Sequence, residues 1–421
     1  NIESAPVVEA LRKVQFRGGI ENFALIHVSL VPVIHGEQKT RPTQAAIKDL
    51  RSLGLTPDMI ACRCQEELEV ATTEKIGMFC HVGPEQVVAV HDVNSTYHVP
   101  LLLKEQRFMK YLSKKLALSP ATGEAQVRGE KLLGRWKLLT LNYDKSFEHV
   151  TIALVGKYTH LRDSYLSVIK SLEHASMKCN RKLKIEWVES TDLEESNKVE
   201  NLSSYHKAWH HVCQADGILV PGGFGLRGIE GMVSAAKYAR ENKVPYLGVC
   251  LGLQIAVLEF VRNVLGIQNS TSMEFDPEAD EKTASVVYMP DVDQVKLGGT
   301  MRLGIHKTVF CKGSEDAKLR KIYGGADFVL ERHRHRYEVN PILIPDIEAK
   351  GLKFIGKDES ESRMELLELD DHPFFCGTQY HPEYLSKVLD PSRPFLGLVA
   401  ASSGILDDVL ARDDLNYKGE F

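Results

Sequence analysis

The chain has 421 residues, 43% hydrophobic and 26% charged, with a formal charge of −5, which suits a globular protein too long for one ordinary core. That balance offers no basic surface for nucleic acid or an acidic membrane, and no apolar run approaches the roughly 18 residues that span a bilayer. Eight cysteines, at positions 62, 64, 80, 179, 213, 250, 311 and 376, form no CxxC pair, which argues against a zinc or thioredoxin-like motif and for a reducing, cytoplasmic compartment.

The opening Asn1-Ile2-Glu3-Ser4-Ala5-Pro6 lacks an initiator Met, so the start of a longer protein is expected upstream. Residues 23–31 are an apolar run of strand length. Residues 43–53 have helical spacing, with Ala46, Ile47, Leu50 and Leu53 on one face and Thr43 placed to cap. Strands follow at 59–64, where Cys62 and Cys64 read as buried thiols on one sheet face, and at 86–90; a helix follows at 101–118. This alternation predicts a parallel sheet covered by helices. From 119 to 130 the composition turns small and polar, which reads as part of an interdomain linker, with a short helix at 132–139.

A second α/β unit begins at 150. Strands are predicted at 150–155, 183–188, 217–220, 245–249 and 374–380, and helices at 164–177, 205–214, 230–241 and 251–265. The fold class is therefore α/β, two doubly wound parallel-sheet domains, with boundaries at 1–118, 119–149 for the linker, and 150–421.

Gly248-Val249-Cys250-Leu251-Gly252 follows an apolar strand and opens a helix, the spacing of a nucleophile elbow with cysteine in the place of serine. A sharp strand-to-helix turn leaves no room for side chains beside the nucleophile, which accounts for the flanking glycines. The helix N-terminus favours a thiolate, because backbone N–H groups and the helix dipole stabilise negative charge there. A thiol also needs a base. In Gln379-Tyr380-His381-Pro382-Glu383, His381 ends a strand and Glu383 can orient its imidazole. Pro221-Gly222-Gly223-Phe224-Gly225 also follows a strand, where exposed N–H groups can hold a developing oxyanion. Each piece alone has a structural reading: a buried cysteine in a tight turn, a strand end, a glycine turn. Their joint occurrence on matching elements favours catalysis.

These three motifs resemble those of the class I, or triad, glutamine amidotransferases. The resemblance implies attack by Cys250 on glutamine, release of ammonia and hydrolysis of a glutamyl thioester. It assigns Gly223 and Leu251 to the oxyanion hole and glutamine site with Gln254 beside them, and Glu274 and Arg336 to the substrate's amino and carboxylate groups. Charge agrees, since a zwitterion needs one carboxylate and one cation. Arg336 has the alternative reading of a solvated basic strand.

In the first half, Lys39-Thr40-Arg41-Pro42-Thr43-Gln44 brings two cations to a helix N-terminus, a pattern suited to polyphosphate or equally to a capped helix with surface charges. Together with Glu3 in its opening run, Gly36-Glu37-Gln38-Lys39-Thr40, and the run RHRHRYEVN over 332–340, it resembles the CTP synthases along nearly the whole chain. That resemblance implies a P-loop-like synthase domain ahead of the amidotransferase domain, acting in pyrimidine nucleotide biosynthesis. ATP would activate UTP and ammonia would complete CTP. Glu3, Lys39, Thr40, Arg41, Gln44 and Lys75 fall to the UTP and CTP site, Asp92 and Val93 to the adenine of ATP, and Phe224 and Arg227 to GTP as allosteric activator. CTP is implied as feedback inhibitor, a homotetramer as assembly, and filaments as a further assembly of some members.

No GxxxxGK(S/T) loop occurs, and the family's ATP loop and Mg2+ ligands are expected upstream of Asn1, leaving no metal site in this chain. The alternatives are a different triad amidotransferase, such as a GMP-making enzyme, and a catalytically silent, filament-forming relative. The KTRPTQ and RHRHRYEVN runs argue against the first, and the intact Cys250, His381 and Glu383 against the second.

Overall fold

The computed structural model describes residues 4–289, 301–412 and 415, and the chain divides into two compact units, 1–144 and 145–421.

The first unit opens with α1 (Ala5–Gly18), a helix that the sequence reading left unassigned. Its sheet is three-stranded and parallel, in the order β1 (Ile26–Leu30), β2 (Met59–Arg63), β3 (Val87–Val90). Strand alternation decides the two faces. Ile60 and Cys62 pack with Cys64, with Ile47 of α2 (Arg41–Ser52), and with Ile76 of α3 (Val70–Cys80). Met59, Ala61 and Val88 face α4 (Val99–Glu105) and α5 (Phe108–Lys115) through Leu103, Phe108 and Leu112.

Three local expectations change. Helix α2 starts at Arg41 with Thr40 as its N-cap residue, and Thr43 lies inside it, buried, accepting a 2.8 Å bond from Ser29 Oγ. The helix expected over 101–118 is broken at Arg107, whose φ is +59°. The cause is Gln106, whose side-chain amide exchanges bonds of 2.7 and 2.8 Å with the backbone of Ala89 and pins the chain to the sheet edge. Much of the polar 119–130 stretch is helical, the start of α6 (Gly123–Lys145), which Trp136 anchors by donating to Tyr97 O at 2.7 Å.

The second unit rests on one nine-stranded sheet. In chain order its strands are β4 (His149–Gly156), β5 (Lys182–Glu189), β6 (Gly217–Val220), β7 (Tyr246–Val249), β8 (Arg302–Phe310), β9 (Phe328–His335), β10 (Leu352–Asp358), β11 (Met364–Leu369) and β12 (Phe375–Thr378). Across the sheet they lie in the order β9-β8-β10-β11-β12-β7-β6-β4-β5. The half from β12 to β5 is parallel, as expected. From β12 outward to β9 every pairing is antiparallel, an extension that the sequence reading did not assign.

The parallel half is apolar on both faces. Ala153, Val155, Ile218 and Val220 meet α8 (Leu202–Gln214), α9 (Ile229–Glu241) and α10 (Leu251–Asn263). Ile152, Leu154, Leu219 and Leu247 meet α7 (Leu166–Lys178) and α12 (Arg393–Ser402), with α11 (Lys318–Ile322) on the same side. Residues on both faces of a strand being apolar is what a doubly covered parallel sheet requires. Among the described residues no helix is long and apolar enough to cross a membrane.

Candidate active site

The parallel register sets the site. Thr378 of β12 pairs with Val249 of β7, and Gly248 of β7 pairs with Val220 of β6, so three neighbouring strands end level at one edge of the sheet. The loops leaving them carry 379–383, Cys250 and 221–225. This is where open α/β sheets collect reactive groups.

Cys250 joins β7 to α10 with φ +54° and ψ −101°, a conformation rarely tolerated by a residue with a Cβ. Its flanking glycines are obligatory. A Cβ on Gly248 would stand 2.3 Å from Gly252 O, and one on Gly252 would stand 2.1 Å from Val220 O. The elbow is tied to the next strand by Cys250 N donating to Thr378 O at 2.7 Å.

His381 is 8% exposed, lines one cavity with Cys250, and has Nδ1 2.8 Å from Glu383 Oε1, while the Cys250 thiol donates to Arg334 O at 3.8 Å. Burial works against a charged imidazole here, but the Glu383 carboxylate and the sulfur of Cys250 overcome it and push His381 up to about 11. The imidazolium is thus the favoured form between two anion-forming groups. Gly222 makes room for it: a Cβ at that position would meet His381 Cε1 at 2.7 Å and Cys250 Cβ at 3.5 Å. The sequence reading had not singled out Gly222 within its glycine loop.

Gly223 lies against Leu251, its Cβ position 3.4 Å from Leu251 Cδ2, and neither backbone N–H has a hydrogen-bond partner among the described residues. Two unused amides beside a nucleophile are the makings of an oxyanion hole. Lys157, also overlooked in the sequence, is buried after β4 and steadies the loop by donating to the carbonyls of Phe224, at 3.3 Å, and Gly225. Burial lowers its ammonium to about 8, against the pull of Glu274.

Glu274 accepts from Gly225 N at 3.0 Å; burial raises its carboxyl, while that bond, Lys157 and Arg336 act in the other direction. Glu274 and Arg336 are therefore within electrostatic reach of one another, and Arg336 Nε is buried without a partner among the described residues. Gln254 sits lower, 5% exposed, bonded to Gln379 Oε1 at 3.2 Å and Tyr337 O at 3.4 Å. Gln379 in turn donates toward Cys250 Sγ at 3.7 Å. A cavity of about 320 Å3 opens over the cysteine, lined by Gly222, Gly223, Phe224, Arg334, His381, Glu383 and Tyr384 among others. Phe224 stands at its rim with the Arg334 guanidinium 5.6 Å from its ring centre. Arg227 is committed elsewhere, to Glu189 and to Lys157 O.

In the first unit Lys39 pairs with Glu37, and both Lys39 and Lys75 hold that carboxyl below its usual range, the Lys39 hydrogen bond contributing most. Thr40 is buried and accepts from Gln44 Nε2 at 3.0 Å. Arg41 and Gln44 line a cavity of about 540 Å3 with Lys48 and Arg51. Asp92 pairs with Arg63, and Val93 follows it, half-buried. Glu3 lies outside the described residues.

Two family matches divide the chain in the same sense: CTP synthase N-terminus over residues 1–118 and Glutamine amidotransferase class-I over 160–401. CTP synthase of Candida glabrata is 65% identical over 98% of this chain and 72% of its own length. The chain belongs to the CTP synthase family. CTP synthase 1 of Saccharomyces cerevisiae is 63% identical, covering 97% of this chain and 71% of that protein, and human CTP synthase 1 is 51% identical, covering 98% and 68%. The glutaminase domain of Trypanosoma brucei CTPS, solved with acivicin bound, matches with a TM-score of 0.55 and 37% identity, over 61% of this chain and 94% of that one. The chain is thus a glutamine-hydrolysing ligase of that family, with a class I glutamine amidotransferase domain.

Proposed function

We propose that Cys250, His381 and Glu383 hydrolyse glutamine as a triad and that the ammonia released is used to convert UTP to CTP at the expense of ATP. The observation that carries the first part is the convergence of Cys250, His381 and Glu383 on one cavity at the level ends of β7 and β12, with His381 Nδ1 2.8 Å from Glu383 Oε1. The thiolate attacks the carboxamide carbon, and the oxyanion forms against the Gly223 and Leu251 amides. His381 then gives its proton to the departing nitrogen, so ammonia leaves and a γ-glutamyl thioester remains. Water, deprotonated by His381, attacks that thioester; glutamate leaves and the sulfur regains its starting form. Arg336 would receive the substrate carboxylate and Glu274 its ammonium, and Gln254 would support the pocket from beneath. Acivicin, which the Trypanosoma brucei domain holds, is expected in the same pocket.

In the first unit Lys39, Thr40, Arg41, Gln44 and Lys75 would hold the triphosphate of UTP or of CTP, with Glu3 among them, and Asp92 and Val93 the adenine of ATP. GTP would bind at Phe224, whose exposed ring offers a stacking face; Arg227 would have to leave Glu189 to join it. Among the described residues no group of three or more His, Cys, Asp or Glu side chains is arranged to hold a metal ion. Magnesium would accompany ATP at the synthase site. We assign 1–118 to the synthase domain, 119–149 to the connection and 150–421 to the glutaminase domain, in a cytoplasmic homotetramer.

The test is glutamate release by Cys250→Ala. Loss of glutamine hydrolysis with an unchanged melting temperature supports the assignment; retained hydrolysis overturns it.

A further inference from the structure

The chain around Arg336 passes from one sheet to another within a single residue. His335 is the last residue of β9, in register with Arg302 of β8, whereas Tyr337–Val339 pair antiparallel with Val286–Tyr288 in a separate two-stranded sheet. Arg336 is the corner between them. This short segment meets the glutaminase site repeatedly. Arg334 O accepts from the Cys250 thiol at 3.8 Å, and Tyr337 O accepts from Gln254 Nε2 at 3.4 Å. Arg336 carries the guanidinium whose Nε is buried without a partner among the described residues.

A side chain of the strand itself spans the corner. His335 is 3% exposed, and its Nδ1 lies 3.0 Å from Tyr337 O, a shorter contact than the one from Gln254. A carbonyl can only accept, so Nδ1 carries the hydrogen. Burial lowers His335 to about 3, which keeps the ring neutral and leaves Nε2 as a lone pair. That nitrogen lies 3.2 Å from Nδ1 of His333, itself held below the usual histidine range by burial. His333 is therefore the donor in the pair, and it fixes both the tautomer and the ring orientation of His335.

We propose that His335 is a positioning residue of the glutaminase, its Nδ1–H clamping Tyr337 O so that Arg336 meets the carboxylate of glutamine in the binding orientation. The inference rests on the assignment of Arg336 to that carboxylate. An apolar side chain could fill the same space, but it would leave the carbonyl, and with it the corner, without its shorter bond.

The experiment is steady-state glutamine hydrolysis by the full chain, for wild type, His335→Leu, His335→Gln and His335→Asn. Loss of the clamp should raise KM about tenfold in His335→Leu and His335→Gln, the scale of one lost hydrogen bond, with kcat kept within about threefold. The amide nitrogen of asparagine is bonded to Cγ, as Nδ1 is, whereas that of glutamine stands one atom further out, in the place of Nε2. His335→Asn should therefore return KM to within about threefold of wild type. Should His335→Leu fail to fold, His335→Gln beside His335→Asn gives the same comparison. Added to Arg336→Ala, His335→Gln should change KM by less than about twofold, because the residue it positions is gone. A His335→Asn variant as impaired as His335→Gln, a loss confined to kcat, or an undiminished effect in the Arg336→Ala background overturns the proposal. Arg336→Ala alone separates the two readings. If it leaves KM at the wild-type value, the assignment of Arg336 is wrong; if it raises KM while His335→Gln does not, only the role of His335 fails.

Discussion

Gly222 gives the most direct route from a distance to a rate. A methyl group there would sit 2.7 Å from His381 Cε1, so the imidazole must retreat by about 0.7 Å to reach ordinary van der Waals contact. The obstacle is a ring edge rather than backbone, so the fold survives the change. The placement of the imidazole beside Cys250 does not, because the ring must shift while Glu383 still holds its Nδ1. Misplacement of a catalytic group by about 1 Å costs on the order of a hundredfold in rate, or about 2.7 kcal/mol of barrier. Gly222→Ala should therefore lower kcat/KM for glutamine hydrolysis by about that factor, with a melting temperature close to wild type. The control is Gly252→Ala, whose new Cβ meets the Val220 carbonyl at 2.1 Å and should cost stability first. Glutamate release measured beside thermal melts separates the two. If Gly222→Ala were folded and within about twofold of wild-type activity, the geometry drawn for the imidazole would be refuted.

Glu383→Gln should reduce kcat by roughly a hundredfold to ten-thousandfold, the range for loss of a group that orients and charges a catalytic histidine. Because the folded state raises His381 above its ordinary 6.5 to about 11, its proton stabilises the fold fully below about 6.5, and that contribution fades as pH rises through about 11. Glu383→Gln should accordingly lower the melting temperature more at pH 6 than at pH 10, and the opposite order would contradict the raised value. Arg336→Ala should raise KM for glutamine about tenfold to a hundredfold with a smaller change in kcat, as befits loss of a charge-assisted bond to a carboxylate. Away from the site, Glu259 is wholly buried between Arg240 Nε at 2.9 Å and Nη2 at 2.8 Å. Glu259→Ala should cost about 3–5 kcal/mol in denaturant titration by stranding the guanidinium, and the double change of both residues to leucine should recover most of it.

The parts of the fold that could be read in advance are those where one physical signal dominates. Strands β4, β6 and β7 are apolar on both faces, and the elbow at Cys250 is bracketed by glycines that geometry makes compulsory. In the antiparallel half, β9 escaped because it buries polar side chains: Glu331, His333 and His335 lie hidden at alternate positions, and Thr308 on β8 and Glu365 on β11 are equally hidden, so no hydrophobic alternation marks residues 331–335. Their burial is made tolerable by mutual bonds, such as His333 Nδ1 to His335 Nε2 at 3.2 Å and Arg302 to Glu365 at 2.8 Å, which only tertiary structure supplies. Helix α6 was hidden by its small polar start, and the break at Arg107 by a side-chain amide reaching 17 residues back to Ala89. Within the site, the nucleophile and its partners announced themselves by motif. Gly222 and Lys157 did not, because their importance lies in what they touch across the sheet edge.

Everything about the glutaminase turns on whether the sulfur of residue 250 becomes acylated. Rapid acid quench of the protein turning over glutamine, followed by intact-mass and peptide mapping, reads this directly. A glutamyl adduct confined to the peptide holding Cys250, absent in Cys250→Ala and accumulating in a variant slow to deacylate, is the expected result. Steady glutamate production with no adduct at that cysteine, or with label on another of the eight, would contradict the account.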